Sequence, residues 1–413
     1  MRLATCSVAV LAASVVASLP VAAQRGSGDW IQWRGPQRTG VVTGFNVPKV
    51  WPDSLVQKWR VEVGTGYASP LVVGDRIYVF SRRGENEGMS THELATGKEL
   101  WRAGYDAPFT MHSAAVPHGQ GPKSTPVFVN GRLLSIGMTG VVTAWDAATG
   151  KTLWQKPAGD LVPLYTSHAF SPLVDGNLVI FHVGGHDRGA LTAFDIGTGA
   201  MRWSWPGDGP SYGSPVIVSS SGTRQLVTVT QNKIVAVNPS TGALLWERSF
   251  PSKIAINSGT PVVAGDLIIA GGSDGPTAAF TPVKEGTVWT TKTVWESGDI
   301  PLKHTNMVVA GDRVIGFTSR NSGQYFAIEA RTGQMIWTSP GRQATAGAIV
   351  RAGDYIVSLE NDGELVIMKS DAAAFELVRK YKVADGETWS EPVLSGERIL
   401  IKDLNHLTLW ALN

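Results

Sequence analysis

Ala144-Trp145-Asp146-Ala147-Ala148-Thr149-Gly150-Lys151-Thr152-Leu153-Trp154 is the stretch that decides the fold, because it recurs. A near copy runs from Ala193 to Trp203, with Asp195, Thr198 and Gly199 at the same offsets. Asn238 replaces the Asp between Ala236 and Trp246, and Glu329 does so between Ala327 and Trp337. A trimmed form keeps Glu93, Ala95, Thr96, Gly97 and Trp101. Another copy is reduced to Trp295, and another is worn to Asp371 and Val378. The acidic or amide side chain can accept N–H bonds from the turn that follows it. The Gly supplies a positive φ, and the Trp is a large anchor for packing between units.

A second pattern opens each unit: a small or hydroxyl residue, Pro, then apolar residues and a Gly, Asp or Asn turn. It starts at Pro70, Pro126, Pro172, Pro215, Pro261 and Pro392, with degenerate copies at Met307 and Ile349. Repeats of roughly 40–55 residues built from short apolar or alternating runs and Gly-rich turns are propeller blades, not helical solenoids. Arg76-Ile77-Tyr78-Val79-Phe80 and Leu178-Val179-Ile180-Phe181 are runs of this kind. The fold expected is all-β, an eight-bladed β-propeller with four-stranded antiparallel blades over residues 55–413. The chain stops inside the last unit at Leu409-Trp410-Ala411-Leu412-Asn413. Val56-Gln57-Lys58-Trp59-Arg60 near the start supplies the missing outer strand, so the N- and C-terminal strands should pair and close the ring.

The opening Met-Arg, the apolar run Leu3 to Leu19 and the small residues around Ala22-Ala23 read as a signal peptide, residues 1–23. Secretion to the periplasm or beyond is expected. Residues 24–54 form an N-terminal extension carrying Trp30-Ile31-Gln32-Trp33-Arg34-Gly35-Pro36, expected to pack across one face of the disc. The single cysteine, Cys6, lies in the leader, so the mature chain has no disulfide and no Cys-bound metal or haem. A net charge of +2 with no basic runs gives no footprint for nucleic acid. No segment after the leader is long enough to span a bilayer, and a monomer is expected.

The repeat resembles that of pyrroloquinoline-quinone-dependent alcohol dehydrogenases, and it is similar to the propeller subunit of the outer-membrane β-barrel assembly machine. The resemblance covers roughly residues 55–413 and rests on blade-building residues, so it speaks to fold more than to function. The dehydrogenase likeness implies pyrroloquinoline quinone with calcium or a lanthanide held by Glu, Asn and Asp, an Asp base, and often a vicinal disulfide. No position here answers to those ligands, and the mature chain has no cysteine. The assembly-subunit likeness implies a cofactor-free binding scaffold for an envelope protein, an envelope polymer or a small ligand. No cofactor is predicted on that reading; quinone with calcium belongs to the alternative, a quinone-dependent oxidoreductase.

Residues just before each innermost strand should converge at the mouth of the central channel. That places Tyr67, Lys123, His168, Tyr212, Asn257, His304 and Trp389 there as candidate ligand-binding groups for an envelope protein or a small molecule. No catalytic residue and no metal ligand is assigned. His182 and His186 fit no strong metal motif and should lie at the ends of a loop between strands. The long segment Tyr105 to Lys123 is either a functional loop or a tolerated insertion. Arg82 to Glu87 reads as a solvated charged turn, and Glu360 and Asp362 cannot be shown to share a site.

Overall fold

A computed structural model describes residues 28–159, 167–252, 256–273 and 275–413; the leader expected at residues 1–23 lies outside them. Eight sheets form the eight blades of an all-β propeller. Each blade has four antiparallel strands, and the first, innermost strand follows the Pro-type opening. Blade one runs Leu71–Val73, Arg76–Arg83, Asn86–Glu93 and Glu99–Asp106. Blade eight takes Val393–Ser395, Arg398–Lys402 and His406–Ala411 from the C-terminus and Val56–Glu62 as its outer strand. Trp59 lies opposite Leu409 in this closing pair.

Two hoops tie the blades together, and each explains one of the repeated patterns. The outer hoop is made by tryptophans. Trp59 donates its indole N–H to Leu94 O in blade one, Trp154 to Ile196 O in blade three, Trp203 to Pro239 O in blade four, and Trp295 to Ala330 O in blade six. Each of these rings lies flat on the Thr-Gly turn of the next blade. A methyl group added to Gly97, Gly199, Gly242 or Gly333 would sit 2.5–2.9 Å from the ring of Trp59, Trp154, Trp203 or Trp295. Those glycines also hold φ between 69° and 73°, so they serve the turn and the docking at once. Where the next blade lacks the turn, another ring takes its place: Trp246 packs edge-on against Phe280, and Trp337 packs on Phe375. Burying one indole is worth at most about 4–6 kcal/mol. The acidic residue of the motif folds the turn itself: Asp195 accepts from Gly197 N, Thr198 N and Thr198 Oγ1.

The inner hoop is a relay of hydroxyls around the channel. Ser69 N donates to Thr125 Oγ1, Thr125 N to Ser171 Oγ, Ser171 N to Ser214 Oγ and Ser214 N to Thr260 Oγ1, at 3.0–3.1 Å. Thr260 N continues to Asn306 Oδ1, and Glu391 N in blade eight returns to Ser69 Oγ. The hydroxyl that precedes the Pro in blades one to five therefore links its blade to the one before. At the corresponding position blade seven has Ala348, which has no side-chain acceptor.

Residues 28–54 form a strap across the ring and fill that break. Trp30 pairs with Val72 of blade one, and Ile31 O accepts from Phe128 N of blade two. Arg34, fully buried, donates to Met307 O of blade six and faces Glu391 of blade eight at 3.6 Å. Arg38 donates to Ser171 O, Pro172 O and Pro215 O of blades three and four. Val41–Val42 then adds a parallel strand to blade seven, and Phe45 bridges to Gly396 of blade eight. At the closing seam, the buried Lys402 ammonium donates to Gly64 O, Gly66 O, Asp403 O and Leu404 O, joining blade eight to the entry of blade one.

Two sequence expectations need correction. Arg82 and Glu87 are not solvated: long strands carry them inside, where they pair at 3.7 Å, Ala107 O accepts from Arg82 and Met138 N donates to Glu87. Only Arg83 to Asn86 remain outside. His182 is not at a loop end; it sits within the strand Leu178–Gly185, and the turn consists of His186 and Asp187.

The Trp-on-glycine docking generates a paired prediction. Gly199→Ala should cost about 2–4 kcal/mol, since it meets both a left-handed φ and the Trp154 ring. Gly176→Ala should cost only about 1 kcal/mol, because Gly176 has a similar φ of 60° but open space around its Cα. Urea melts of the two variants check the difference.

Candidate functional site

The site lies at the channel mouth opposite the strap. Trp33 reaches up from the strap and lines its floor, and the walls come from Tyr67, Lys123, Tyr212, His304 and Trp389. His118 completes the wall; it ends the 3-10 helix Ser113–His118 in the long blade-one segment. The rings converge. His118 and Trp389 meet edge-on at 5.1 Å, His304 and Trp389 at 5.9 Å, and His118 and His304 at 6.5 Å. Lys123 Nζ stands 5.9 Å above the Tyr67 ring, and Gly119 O and Gly121 O accept from it at 3.4 Å. His304 takes a left-handed φ of 55°, and Ser258 Oγ accepts from its backbone N–H. Strained backbone held by its surroundings is common at binding sites.

The electrostatics follow from burial. His304 is held down to about 4, first by desolvation and then by Lys303 and His118. His118 is lowered for the same first reason, with Lys123 adding to it. Both imidazoles are therefore neutral at pH 7 and offer one donor and one acceptor each. Burial pulls the Lys123 ammonium down to about 8, partly offset by Glu87, and pushes the Tyr67 hydroxyl well above its ordinary value. The mouth is an aromatic, weakly cationic cup of about 160 Å³, below the roughly 300–1,000 Å³ of sites for drug-sized ligands.

Two of the residues expected here are elsewhere. His168 is buried inside blade three, desolvation holds it at about 3, and Ala169 lines the cup in its stead. Asn257 is a clamp: its amide donates to Thr230 O, Gln231 O and Phe250 O, which leaves no N–H for a ligand. Both face the wall because the turns into blades three and five put a different residue toward the axis. Trp33 and His118 were missed. Trp33 belongs to no repeat, and nothing in the Tyr105–Lys123 segment signals its direction.

A quinone with calcium does not fit this cup. Calcium takes 6–8 oxygen ligands with carboxylates among them, and no carboxylate is among the described residues lining the cup. The nearby Glu387 lies in the adjoining groove and accepts from Trp389 Nε1 at 3.2 Å. Glu360, Asp362 and Glu364 do come together, their oxygens within 4.8 Å. Lys380 already bridges Glu360 and Glu364, and Tyr325 donates to Glu360.

A family profile described as outer membrane protein assembly factor BamB matches residues 85–339. The chain belongs to this family. The BamB of Burkholderia pseudomallei is 26% identical over 356 residues, 74% of this chain and 86% of that one. The crystal structure of BamB from Moraxella catarrhalis superposes with a TM-score of 0.60 at 18% identity, covering 86% of this chain and 99% of that one. A europium-containing methanol dehydrogenase superposes with a TM-score of 0.69 at 13% identity, covering 93% and 98%. At such identities the solved structures show a shared propeller fold and nothing of chemistry. No helix among the described residues of this BamB-family chain is long and apolar enough to cross a membrane.

The half-buried His304 imidazole at the mouth gives a pH signature. An unfolded His binds a proton near 6.5, and folded His304 does so only near 4. Its stabilising contribution is therefore complete above pH 6.5 and lost as pH falls through about 4. Relative to His304→Asn, the natural chain should lose stability across that window; parallel denaturation profiles from pH 7.5 to 3.5 would contradict the assignment.

Proposed function

We propose that this chain is a non-catalytic envelope scaffold of outer-membrane protein assembly, and that its channel mouth receives one large side chain of an envelope partner. Membership of the BamB family supports the scaffold role. The observation that carries the finer reading is the cup formed by His118, His304 and Trp389 over Trp33. It has the volume of about one large side chain, with aromatic walls and neutral hydrogen-bonding groups. Aromatic-lined pockets of this size on a rigid frame are where interface hot spots seat an anchor residue. The frame beside the cup is fixed where the relay runs through Thr260 and Asn306 and from Glu391 to Ser69. Export past the inner membrane follows from the leader expected at residues 1–23.

The test uses the full chain in cells with a photo-crosslinking residue at Lys303, which is exposed on the rim. An adduct with a component of the outer-membrane assembly machinery is expected. Trp389→Ala should weaken that partnership by at least about 2 kcal/mol, roughly thirtyfold, while the melting temperature stays close to that of the natural chain. An adduct indifferent to both Trp389→Ala and His304→Ala would refute the cup as the docking point. Reduction of a dye by alcohols in the presence of quinone and calcium would refute the scaffold reading itself.

A further inference from the structure

The strap touches blades all around the face that it crosses, but its backbone carbonyls serve inner-strand amides of blades one, two and seven alone among the described residues. Its backbone carbonyls are held by inner-strand amides at one repeated position: Val72 N donates to Trp30 O, Phe128 N to Ile31 O and Arg351 N to Gly40 O. Each donor lies opposite Ile77, Leu133 or Ile356 in its own blade, the ladder position whose N–H points away from the sheet and toward the channel. Val174, Ile217, Val263 and Val309 occupy the same register in blades three to six, opposite Val179, Leu226, Ile268 and Val314. Among the described residues no backbone acceptor outside their own strands meets them. All four line a cavity of about 490 Å³ between the strap and the ring.

Charge adds to this geometry. Arg38, 6% exposed, and Arg351 also line the cavity, and neither has a carboxylate within ion-pair distance among the described residues. The wall thus combines outward amides that no strap carbonyl takes, half-buried Val and Ile side chains, and two guanidinium groups with no carboxylate within ion-pair distance, Arg38 also holding the carbonyls of Ser171, Pro172 and Pro215.

We infer that this cavity binds an extended apolar peptide bearing a carboxylate, by strand addition to the inner edges of blades three to six. The peptide repeats what the strap does on blades one, two and seven: its carbonyls take the free amides, alternate side chains rest on the Val and Ile wall, and its carboxylate faces Arg38 and Arg351. A fatty acid would satisfy the apolar wall and the guanidinium groups but would leave the row of amides without acceptors. The site is at the other end of the channel from the mouth cup, so it stands or falls independently of the proposed function.

The probe is a hexapeptide copying the strap strand, Thr-Gly-Val-Val-Thr-Gly as in residues 39–44, labelled at its N-terminus and carrying a free C-terminal carboxylate. Fluorescence anisotropy with the mature chain should show saturable binding below 1 mM, on the order of what a short strand-adding peptide achieves. Ile217→Pro removes one outward N–H, a change that edge strands tolerate, and should weaken binding about tenfold; Arg351→Gln and C-terminal amidation should each weaken it several-fold. Trp389→Ala, at the other mouth, should leave it unchanged. No binding at about 1 mM, binding indifferent to Ile217→Pro and Arg351→Gln, or competition by decanoate but not by unlabelled peptide would each overturn the inference. Melting curves confirm that every variant compared is folded.

Discussion

The hydroxyl relay around the channel is the constraint on which the rest of the molecule depends. A propeller has no covalent rim, so each blade must be fixed to its neighbour at the centre, where the sheets approach most closely. Here a Ser, Thr or Asn side chain in one blade accepts the backbone N–H of the blade before it, from Ser69 through Asn306. Each such bond contributes only about 1 kcal/mol net, but a buried N–H left without its acceptor costs about 1–3 kcal/mol. The hoop therefore fixes the angle between blades more than it adds stability. The tryptophans do the converse at larger radius, supplying burial across each junction.

The strap gains its meaning from blade seven, where among the described residues no such link joins blade six to seven or seven to eight. Ala348 offers no acceptor and Glu391 brings a carboxylate, fully buried. Arg34 answers both, donating to Met307 O and facing Glu391. Burial raises the Glu391 carboxyl to about 7 against the opposing pull of Arg34 and Arg38. Removing one partner from such a buried set is strongly destabilising. The same insertion carries Trp33 to the floor of the far mouth, so sealing the ring and shaping the cup are consequences of one segment crossing the channel.

Much of this was legible in the sequence. Blade number, register and ring closure follow from the spacing of two short patterns, since every copy must build the same unit. Five mouth residues, Tyr67, Lys123, Tyr212, His304 and Trp389, were readable because they hold one position relative to the inner strands. His168 and Asn257 hold nearly that position yet turn inward, and a shift of one residue in a loop leaves no compositional trace. Trp33, Arg34 and Arg38 were not assignable, because the strap occurs once and no internal copy fixes its register. Arg82 and Glu87 looked solvated because charges usually are; their burial depends on a strand length that the turn residues alone do not reveal.

The most direct test of the ring account is native-state hydrogen exchange on Arg34→Ala. If Arg34 substitutes for the missing link, protection should fall at the inner strands of blades six to eight, around Met307, Ala348 and Glu391. The amides of Thr125, Ser171 and Ser214, which have their own hydroxyl acceptors, should keep theirs. Equal loss of protection around the whole channel, or no loss at blades six to eight, would contradict it.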